Sequence, residues 1–358
     1  MHKVLHNTGK LIYGRGALAQ TPDQLLPLRK QADDFVVFVI DHYFRDHEWL
    51  QKLGIQSNDL VFFEDCDVKE PTTEQVDELR DRILEKGLPV AVVGMGGGSV
   101  MDIAKAVSLM LTNEGSSTQY QGLNLIKKPG VYHLGIPTIS GTGAECSTTA
   151  VLTGPVKKLG LKCAWTVFDE LILDPELTAT VPRDHWFYTG MDTFIHCIES
   201  ETGLYKNAFS EAYGEESLKL CREVFLGEKA GQNAENDDKL MIASLFGGLS
   251  LTYSEVGVCH ALSYGLSKIL GYRHGYANCV AFQHLDEFYG EAVEEFREMV
   301  RFNQITLPTG LAASWTEEQI SAMAEVAWNL PHMWTHALGH NWQEQINKAY
   351  IEDLYRKL

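Results

Sequence analysis

The stretch that decides the fold is residues 88–107, LPVAVVGMGGGSVMDIAKAV. Its apolar start is typical of a strand, four glycines follow within five residues, and the remainder has the apolar spacing of a helix. Glycine lets backbone N–H groups approach a pyrophosphate, and a helix N-terminus adds a favourable dipole. Gly96, Gly97, Gly98 and Ser99 are therefore candidate dinucleotide-binding residues, although glycines also serve tight turns for steric reasons alone.

This turn matches neither of two common nucleotide motifs. No Gly-Lys-Ser/Thr follows it, as a Walker motif requires, and no acidic residue ends a strand about 20 residues later, as in the usual Rossmann fingerprint. The acidic candidate lies upstream, where Asp41 closes the strand-like run 36–40. A carboxylate there can bind a ribose diol and repel a 2′-phosphate, which favours NAD over NADP. A solvated Asp at a strand end is the alternative interpretation.

The segments around this stretch predict two domains. Strand-like runs at 36–40, 61–63, 90–93 and 131–137 alternate with helix-like segments at 73–86 and 100–111, which predicts a mostly parallel α/β sheet. From residue 183 the spacing is helical, over 185–200, 208–224, 238–254, 258–269, 276–289, 293–304, 316–329 and 343–357. We therefore predict a dinucleotide-binding α/β domain over 1–182 and an all-α, metal-binding domain over 183–358.

Composition narrows the functional classes. A chain of 358 residues is longer than a domain with a single hydrophobic core usually is. The formal net charge of −18 argues against nucleic acid or an anionic membrane as partners. No apolar run approaches the roughly 18 residues of a membrane span, and the N-terminus lacks a secretory pattern, so we expect a cytoplasmic protein. The seven cysteines form no CxxC pair and predict neither a disulfide framework nor a thiolate zinc site.

A second segment rich in small residues, IPTISGTGAECSTTA at 136–150, follows an apolar strand. Hydroxyl-rich turns of this kind can line a phosphate or nicotinamide site, and they can equally be ordinary turn chemistry. Its candidate cofactor-binding residues are Thr138, Ser140, Thr142 and Ser147.

A candidate metal site starts with Asp192 and His196, which are spaced i, i+4 on a largely apolar helix. Burying these two side chains without hydrogen-bond partners is costly, although a hydrogen bond between them would give each a partner. Together with His260 and His274 they make a mixed N/O ligand set suited to Fe(II) or Zn, with room for a substrate oxygen. These four residues are our candidate catalytic and metal-binding residues.

Three further histidines, His332, His336 and His340, are spaced i, i+4, i+8 and would share one face of a continuous helix. They are a weaker metal candidate because no carboxylate is in register with them.

These motifs resemble those of the iron-containing (group III) alcohol dehydrogenases. Residues 96–105 match the family's GGGSxxDxAK, 136–145 its IPTTAGTGSE-like segment, and 174–178 its DP-x-LT. The four metal candidates match DxxxH followed by two histidines fourteen apart, the second in HGxxN. The resemblance covers residues 8 to about 290. It implies a dehydroquinate synthase-like fold, NAD, one divalent metal, Asp102 as a further cofactor residue, and a homodimer.

The chain departs from the family at identifiable positions. Tyr264 stands where many members have a histidine near the nicotinamide, which puts that residue's proton-relay role in doubt. The family's cofactor-contacting lysine corresponds to Lys158 or Lys162.

Within the family, the overall pattern looks closest to the 3-deoxy-D-manno-octulosonate 8-oxidases of lipopolysaccharide sugar modification. Arg273 and Lys268 could meet a sugar carboxylate there, or be surface charges. The resemblance thus implies hydride transfer between a primary alcohol, here the sugar-acid C8, and NAD(P). The alternatives are a general medium-chain or polyol dehydrogenase, a dehydroquinate-synthase-like lyase, and a cofactor-binding protein without catalysis. The lyases have a Glu-His-His metal set, and the Asp192/His196 pair argues against that alternative.

Overall fold

The computed structural model describes residues 6–66 and 70–358. The chain divides into two compact units. The first runs as far as Ile139 and continues through Ala144–Ala179, while the second comprises Ser140–Gly143 and Thr180–Leu358.

The first unit is built on parallel strands. Its strands are β1 (Lys10–Tyr13), β2 (Val36–Asp41), β3 (Leu60–Glu64), β4 (Ala91–Gly96), β5 (Gly122–Leu123), β6 (His133–Pro137), β7 (Thr149–Thr153), β8 (Lys158–Lys162) and β9 (Glu170–Leu173). Six of them form an all-parallel sheet in the order β1-β9-β6-β4-β2-β3. β4 and β6 are buried at every position, as expected of central strands covered on both faces.

Helices and a small sheet complete the first unit. The helices are α1 (Thr21–Leu25), α2 (Thr73–Leu84) and α3 (Gly98–Met110). The remaining strands make a three-stranded sheet in the order β5-β8-β7, in which β7 and β8 are antiparallel. The predicted parallel α/β architecture is confirmed, while the edge strand β1, its neighbour β9 and the small sheet escaped the sequence patterns.

The second unit contains helices joined by loops, with no strand among its described residues. Its helices are α4 (Arg183–Thr202), α5 (Ala208–Leu226), α6 (Ala234–Tyr253), α7 (Val258–Leu270), α8 (His274–Phe282), α9 (Asp286–Tyr289), α10 (Glu291–Phe302), α11 (Glu317–Trp328), α12 (Pro331–Leu338), α13 (Trp342–Gln345) and α14 (Lys348–Arg356). α4, α7 and α8 supply many of the fully buried side chains of one continuous apolar core. The predicted all-α second domain is confirmed as a fold class.

Two predicted helices are each split in the structure. The segment 276–289 breaks after Phe282, where the Arg297 guanidinium binds the free carbonyl of Gln283. The segment 343–357 breaks before Asn347, whose side chain accepts a hydrogen bond from the N–H of Tyr350 and so caps α14.

Among the described residues, no single helix has both the length and the apolar character needed to cross a membrane. One sharply bent pair, α6 with α7, meets those criteria only when its two helices are taken together.

Candidate active site

Three helices of the second unit carry the four metal candidates. α4 supplies Asp192 and His196, one turn apart and both buried. α7 begins at Val258 and presents His260 in its first turn, while His274 is the first residue of α8. The predicted residues therefore come together, although the chain separates the first from the last by more than 80 positions.

The three imidazoles converge on one carboxylate. The Nε2 atoms of His196 and His260 lie 3.4 Å from Oδ1 of Asp192, and Nε2 of His274 lies 3.6 Å from Oδ2. All four candidate ligand atoms lie within 4.8 Å of one another. The His274 side chain is 31% exposed and the other three at most 4%, so the cluster is accessible from the His274 side.

The charges of these groups depend strongly on one another. Burial alone would raise the pKa of Asp192, but the surrounding histidines hold it well below its ordinary value. Burial lowers the pKa of His196 to about 4, so this ring is neutral at pH 7. Burial also acts to lower the pKa of His260, but the carboxylates of Glu199 and Asp192 outweigh it and raise the value to about 9.

This arrangement fits a divalent first-row metal ion. Ligand bonds of about 2.0–2.2 Å place neighbouring ligand atoms roughly 3.3–3.6 Å apart in a tetrahedral shell. The three distances between Asp192 and the histidines agree with that range. Oδ2 of Asp192 is buried and has no hydrogen-bond partner among the described residues, so it has coordination capacity to spare. Three imidazoles and one carboxylate suit Fe(II) and Zn alike.

Two buried residues next to the cluster were missed by the sequence analysis. The Asn278 amide donates to Oδ1 of Asp192 at 2.6 Å, and its nitrogen lies 3.2 Å from Nε2 of His260. Oε2 of Glu199 lies 2.5 Å from Nδ1 of His260. Glu199 was detectable in principle, because it follows His196 by three residues on the same face of α4.

The second histidine set does not form one face. α12 ends at Leu338, before His340, so the required continuous helix is absent from this described segment. His336 is buried and uses both ring nitrogens, one with the carbonyl of Glu199 at 2.8 Å and one with the N–H of Tyr205 at 3.2 Å. Its role here is to fix neighbouring backbone.

Three candidate cofactor residues of the first unit lie at the carboxyl ends of strands in the parallel sheet. Asp41 is the last residue of β2, Gly96 the last of β4, and Thr138 directly follows β6. β4 pairs with both β2 and β6, so these residues end three neighbouring strands. The carboxyl edge of such a sheet is where α/β proteins bind nucleotides.

The glycines of the turn have a packing role as well. A Cβ at Gly94 would lie 2.6 Å from Cβ of Ala104, and one at Gly96 would lie 2.6 Å from Cβ of Val100. Both glycines therefore allow α3 to approach β4 closely. Gly97 directly precedes α3 and has no side chain that could cap the helix. Gly98 and Ser99 are the first two residues of α3.

Asp102 and Ser147 belong to a buried polar cluster around Lys105. The Lys105 ammonium lies 3.1 Å from Oγ of Ser147 and 3.8 Å from Asp102. Asp102 also accepts a hydrogen bond from the N–H of Val151 at 3.0 Å. Both predicted residues thus have structural contacts, and a cofactor role for either remains a prediction.

Ser140 and Thr142 fall in the four-residue segment that groups with the second unit. This segment is fixed by Gly141, whose N–H donates to Oγ of Ser244 at 2.7 Å and whose carbonyl accepts from Thr193 at 2.9 Å. Oγ of Ser140 is buried without a hydrogen-bond partner among the described residues.

The departures from the family pattern can also be located. The ring of Tyr264 lies 5.8 Å from that of His274, edge to face. Lys158 forms an ion pair with Glu70, while Lys162 ends β8. Arg273 is the residue that directly precedes His274 at the start of α8.

Comparison with known protein families matches nearly the whole chain. The family model described as iron-containing alcohol dehydrogenase matches residues 8–175, and the model for the C-terminal part of the same family matches residues 186–333. The matches therefore cover the first unit's sheet and all four metal candidates.

Individual relatives agree with this match. The sulfoacetaldehyde reductase of Bilophila wadsworthia is 29% identical over 76% of this chain and 71% of its own length. The NAD-dependent methanol dehydrogenase of Bacillus methanolicus is 30% identical over 61% of this chain and 58% of its own. The crystal structure of sulfoacetaldehyde reductase from Bifidobacterium kashiwanohense in complex with NAD+ is 22% identical, covers 99% and 98% of the two chains, and superposes with a TM-score of 0.82.

Proposed function

The chain belongs to the iron-containing alcohol dehydrogenase family, and from that premise we propose that it interconverts a primary alcohol and its aldehyde. The proposed cofactors are NAD and one divalent metal ion, with Asp192, His196, His260 and His274 as the metal ligands. The observation that carries the proposal is the convergence of three Nε2 atoms on one buried carboxylate, at 3.4–3.6 Å.

When bound, the metal ion supplies Lewis acidity toward an alcohol oxygen and NAD supplies a hydride acceptor. The buried residues contribute charge and water exclusion. Asp192 is ionised and His196 neutral at pH 7, as ligation requires, whereas His260, whose pKa is raised to about 9, must release a proton when the metal binds. His274, the only partly exposed member of the set, marks the side from which substrate approaches.

The nucleotide is proposed to lie at the carboxyl edge of the parallel sheet, within the domain we assign to residues 1–182. Gly96, Gly97, Gly98 and Ser99 would meet the pyrophosphate at the N-terminus of α3. Asp41 would accept the ribose hydroxyls, which favours NAD over NADP. Asp102, Thr138, Ser140, Thr142 and Ser147 remain candidates for further contacts.

For the substrate we propose a sugar acid, with 3-deoxy-D-manno-octulosonate oxidised at C8 as the specific case. Support comes from Arg273, an exposed cation that directly precedes the ligand His274. A carboxylate held there would orient a long polyol with its far end toward the metal candidates. A general medium-chain or polyol dehydrogenase is the alternative. Cytoplasmic location and a homodimer accompany the proposal.

A substrate panel with matched variants tests the proposal. NADH formation is followed for the wild type, for the His196→Ala/His260→Ala double variant, and for His332→Ala, which changes an exposed histidine of the same unit. We expect activity in the wild type and the control and at least a thousandfold loss in the double variant. Full activity in the double variant would contradict the metal assignment. A further variant, Arg273→Ala, tests the substrate: activity on sugar acids equal to that of the wild type would contradict the proposal that Arg273 binds the sugar-acid carboxylate.

A further inference from the structure

Glu199 is fully buried, and both oxygens of its side chain have hydrogen-bond partners. Oε1 accepts the backbone N–H of Cys259 at 2.7 Å and the hydroxyl of Tyr289 at 2.6 Å. Oε2 lies 2.5 Å from Nδ1 of His260. An ionised carboxylate in an apolar core needs such partners, because a buried charge is otherwise very costly.

The contact with His260 determines which ring nitrogen is available as a ligand. A carboxylate can only accept, so Nδ1 must carry the proton in this contact. In the uncharged ring the lone pair is then on Nε2, the atom that lies 3.4 Å from Asp192 within the ligand cluster. A carboxylate that holds a histidine by its outer nitrogen also raises the basicity of the inner one.

The same carboxylate fixes the start of α7. Cys259 is the second residue of that helix, and Val258, the first, donates its N–H to the Tyr289 hydroxyl at 3.0 Å. Glu199 therefore anchors both the backbone that carries His260 and the ring itself. No other described contact of the His260 ring reaches its Nδ1 atom.

We propose that Glu199 is the positioning residue that holds His260 in the Nδ1–H form and aims Nε2 at the metal. The inference rests on the proposed function for the presence of the metal, but the state of the ring can be measured without one.

The substitution Glu199→Gln distinguishes this effect on the His260 ring from the structural role of Glu199 in anchoring α7. The N–H of Cys259 can only donate, so the amide oxygen of the new side chain must face it and the Tyr289 hydroxyl. The amide NH₂ then faces Nδ1 of His260, which must give up its proton to accept. The proton moves to Nε2, where it blocks coordination, while the anchoring of α7 is retained.

Two measurements test the proposal on the full-length protein, with Glu201→Gln as control. Glu201 is a half-buried carboxyl two residues further along α4, and none of the four metal candidates is among the charged groups that shift its pKa. Chelator competition with Zn²⁺ gives the metal affinity, and ¹H–¹⁵N correlation spectra of ¹⁵N-histidine-labelled protein, recorded before metal is added, show whether Nδ1 of His260 is protonated.

We expect Glu199→Gln to bind Zn²⁺ 10- to 100-fold more weakly, the usual loss when an outer partner of a ligating histidine is removed. We also expect it to lose the Nδ1 proton signal, with both properties unchanged in Glu201→Gln. Wild-type affinity, or an Nδ1 proton retained in Glu199→Gln, would overturn the proposal. If the wild type bound no Zn²⁺, the proposed function would fail, while the proton signal would still decide whether Glu199 sets the state of His260.

Discussion

Lys105 allows a test of how much the buried polar cluster contributes to the stability of the first unit, because its charged group is completely buried. Its side chain has no exposed area, and its ammonium lies 3.1–3.2 Å from three acceptors, namely Oγ and the carbonyl of Ser147 and the carbonyl of Thr149. Burial lowers the pKa of this lysine, and Asp102 at 3.8 Å opposes that effect. Lys105→Met keeps most of the length of the side chain and removes the charge.

The expected cost follows from these contacts. Three acceptors that each lost a partner would cost about 1–3 kcal/mol apiece. The sum is reduced because Oγ of Ser147 also donates to the carbonyl of Thr149, and because Asp102 can take up a proton once its counter-ion is gone. Breaking a buried pair by removing one partner typically costs about 3–5 kcal/mol, and we expect Lys105→Met to fall in that range.

Hydrogen exchange of peptides that cover β4 and α3 measures this cost where it arises. A loss of about 3–5 kcal/mol accelerates exchange by roughly a hundredfold to a few thousandfold. The exposed Lys127→Met serves as the control, with an expected change below about 0.5 kcal/mol. In the Asp102→Asn/Lys105→Met double variant the loss should be smaller than the sum of the two single losses by about 1–3 kcal/mol. A Lys105→Met protein within about 1 kcal/mol of the wild type would refute this reasoning.

Three further predictions concern the two sites. In Gly275→Ala the new Cβ would lie 2.8 Å from the carbonyl oxygen of Tyr188. α8 and its first residue, His274, must therefore shift, and we expect at least about a tenfold loss of Zn²⁺ affinity by chelator competition. Burial raises the pKa of Asp102 from 3.8 to about 6, so its contribution to stability is complete below pH 4 and is lost as the pH rises through 6. In urea unfolding, the difference in stability between Asp102→Asn and the wild type should therefore change in favour of the variant by up to about 3 kcal/mol as the pH rises from about 4 to 7. Asp41→Asn keeps an oxygen for the N–H of Tyr43 but removes the charge, and ratios of kcat/KM should show the preference for NAD over NADP falling about tenfold.

Each of these predictions has a result that contradicts it. Unchanged Zn²⁺ affinity in Gly275→Ala would mean that α8 accommodates a methyl group without moving His274. A pH-independent stability difference for Asp102→Asn would mean that its carboxyl titrates normally in the folded protein. An unchanged cofactor preference in Asp41→Asn would place the ribose elsewhere.

The parts of the fold that sequence analysis found are those whose signals are local. The strand, glycine turn and helix of residues 88–107 carry their own periodicity, and the structure forms β4 and α3 there. Asp192 and His196 were detectable because helical spacing places them on one face of α4. The four-residue strands β1 and β9 are too short to show a period, and they are defined by pairing across the sheet, β1 with β9 and β9 also with β6.

The remaining features depend on contacts between distant segments. Nothing near Glu199 in the sequence shows that His260, 61 positions later, would face it. Lysine is ordinarily a surface residue, so the burial of Lys105 depends on acceptors more than 40 positions away. His336 was a metal candidate by spacing alone, whereas its partners on Glu199 and Tyr205 show a structural role.

The most direct test of the metal assignment is a titration of metal-free protein. Chelated enzyme is supplied with Fe(II) or Zn(II) in anaerobic buffer, and bound metal and NADH formation from a primary alcohol are measured together. We predict one ion per chain, activity that rises in proportion to occupancy, and neither effect in the His196→Ala/His260→Ala variant. Full activity in the chelated protein, or one tightly bound ion in that variant, would contradict the account.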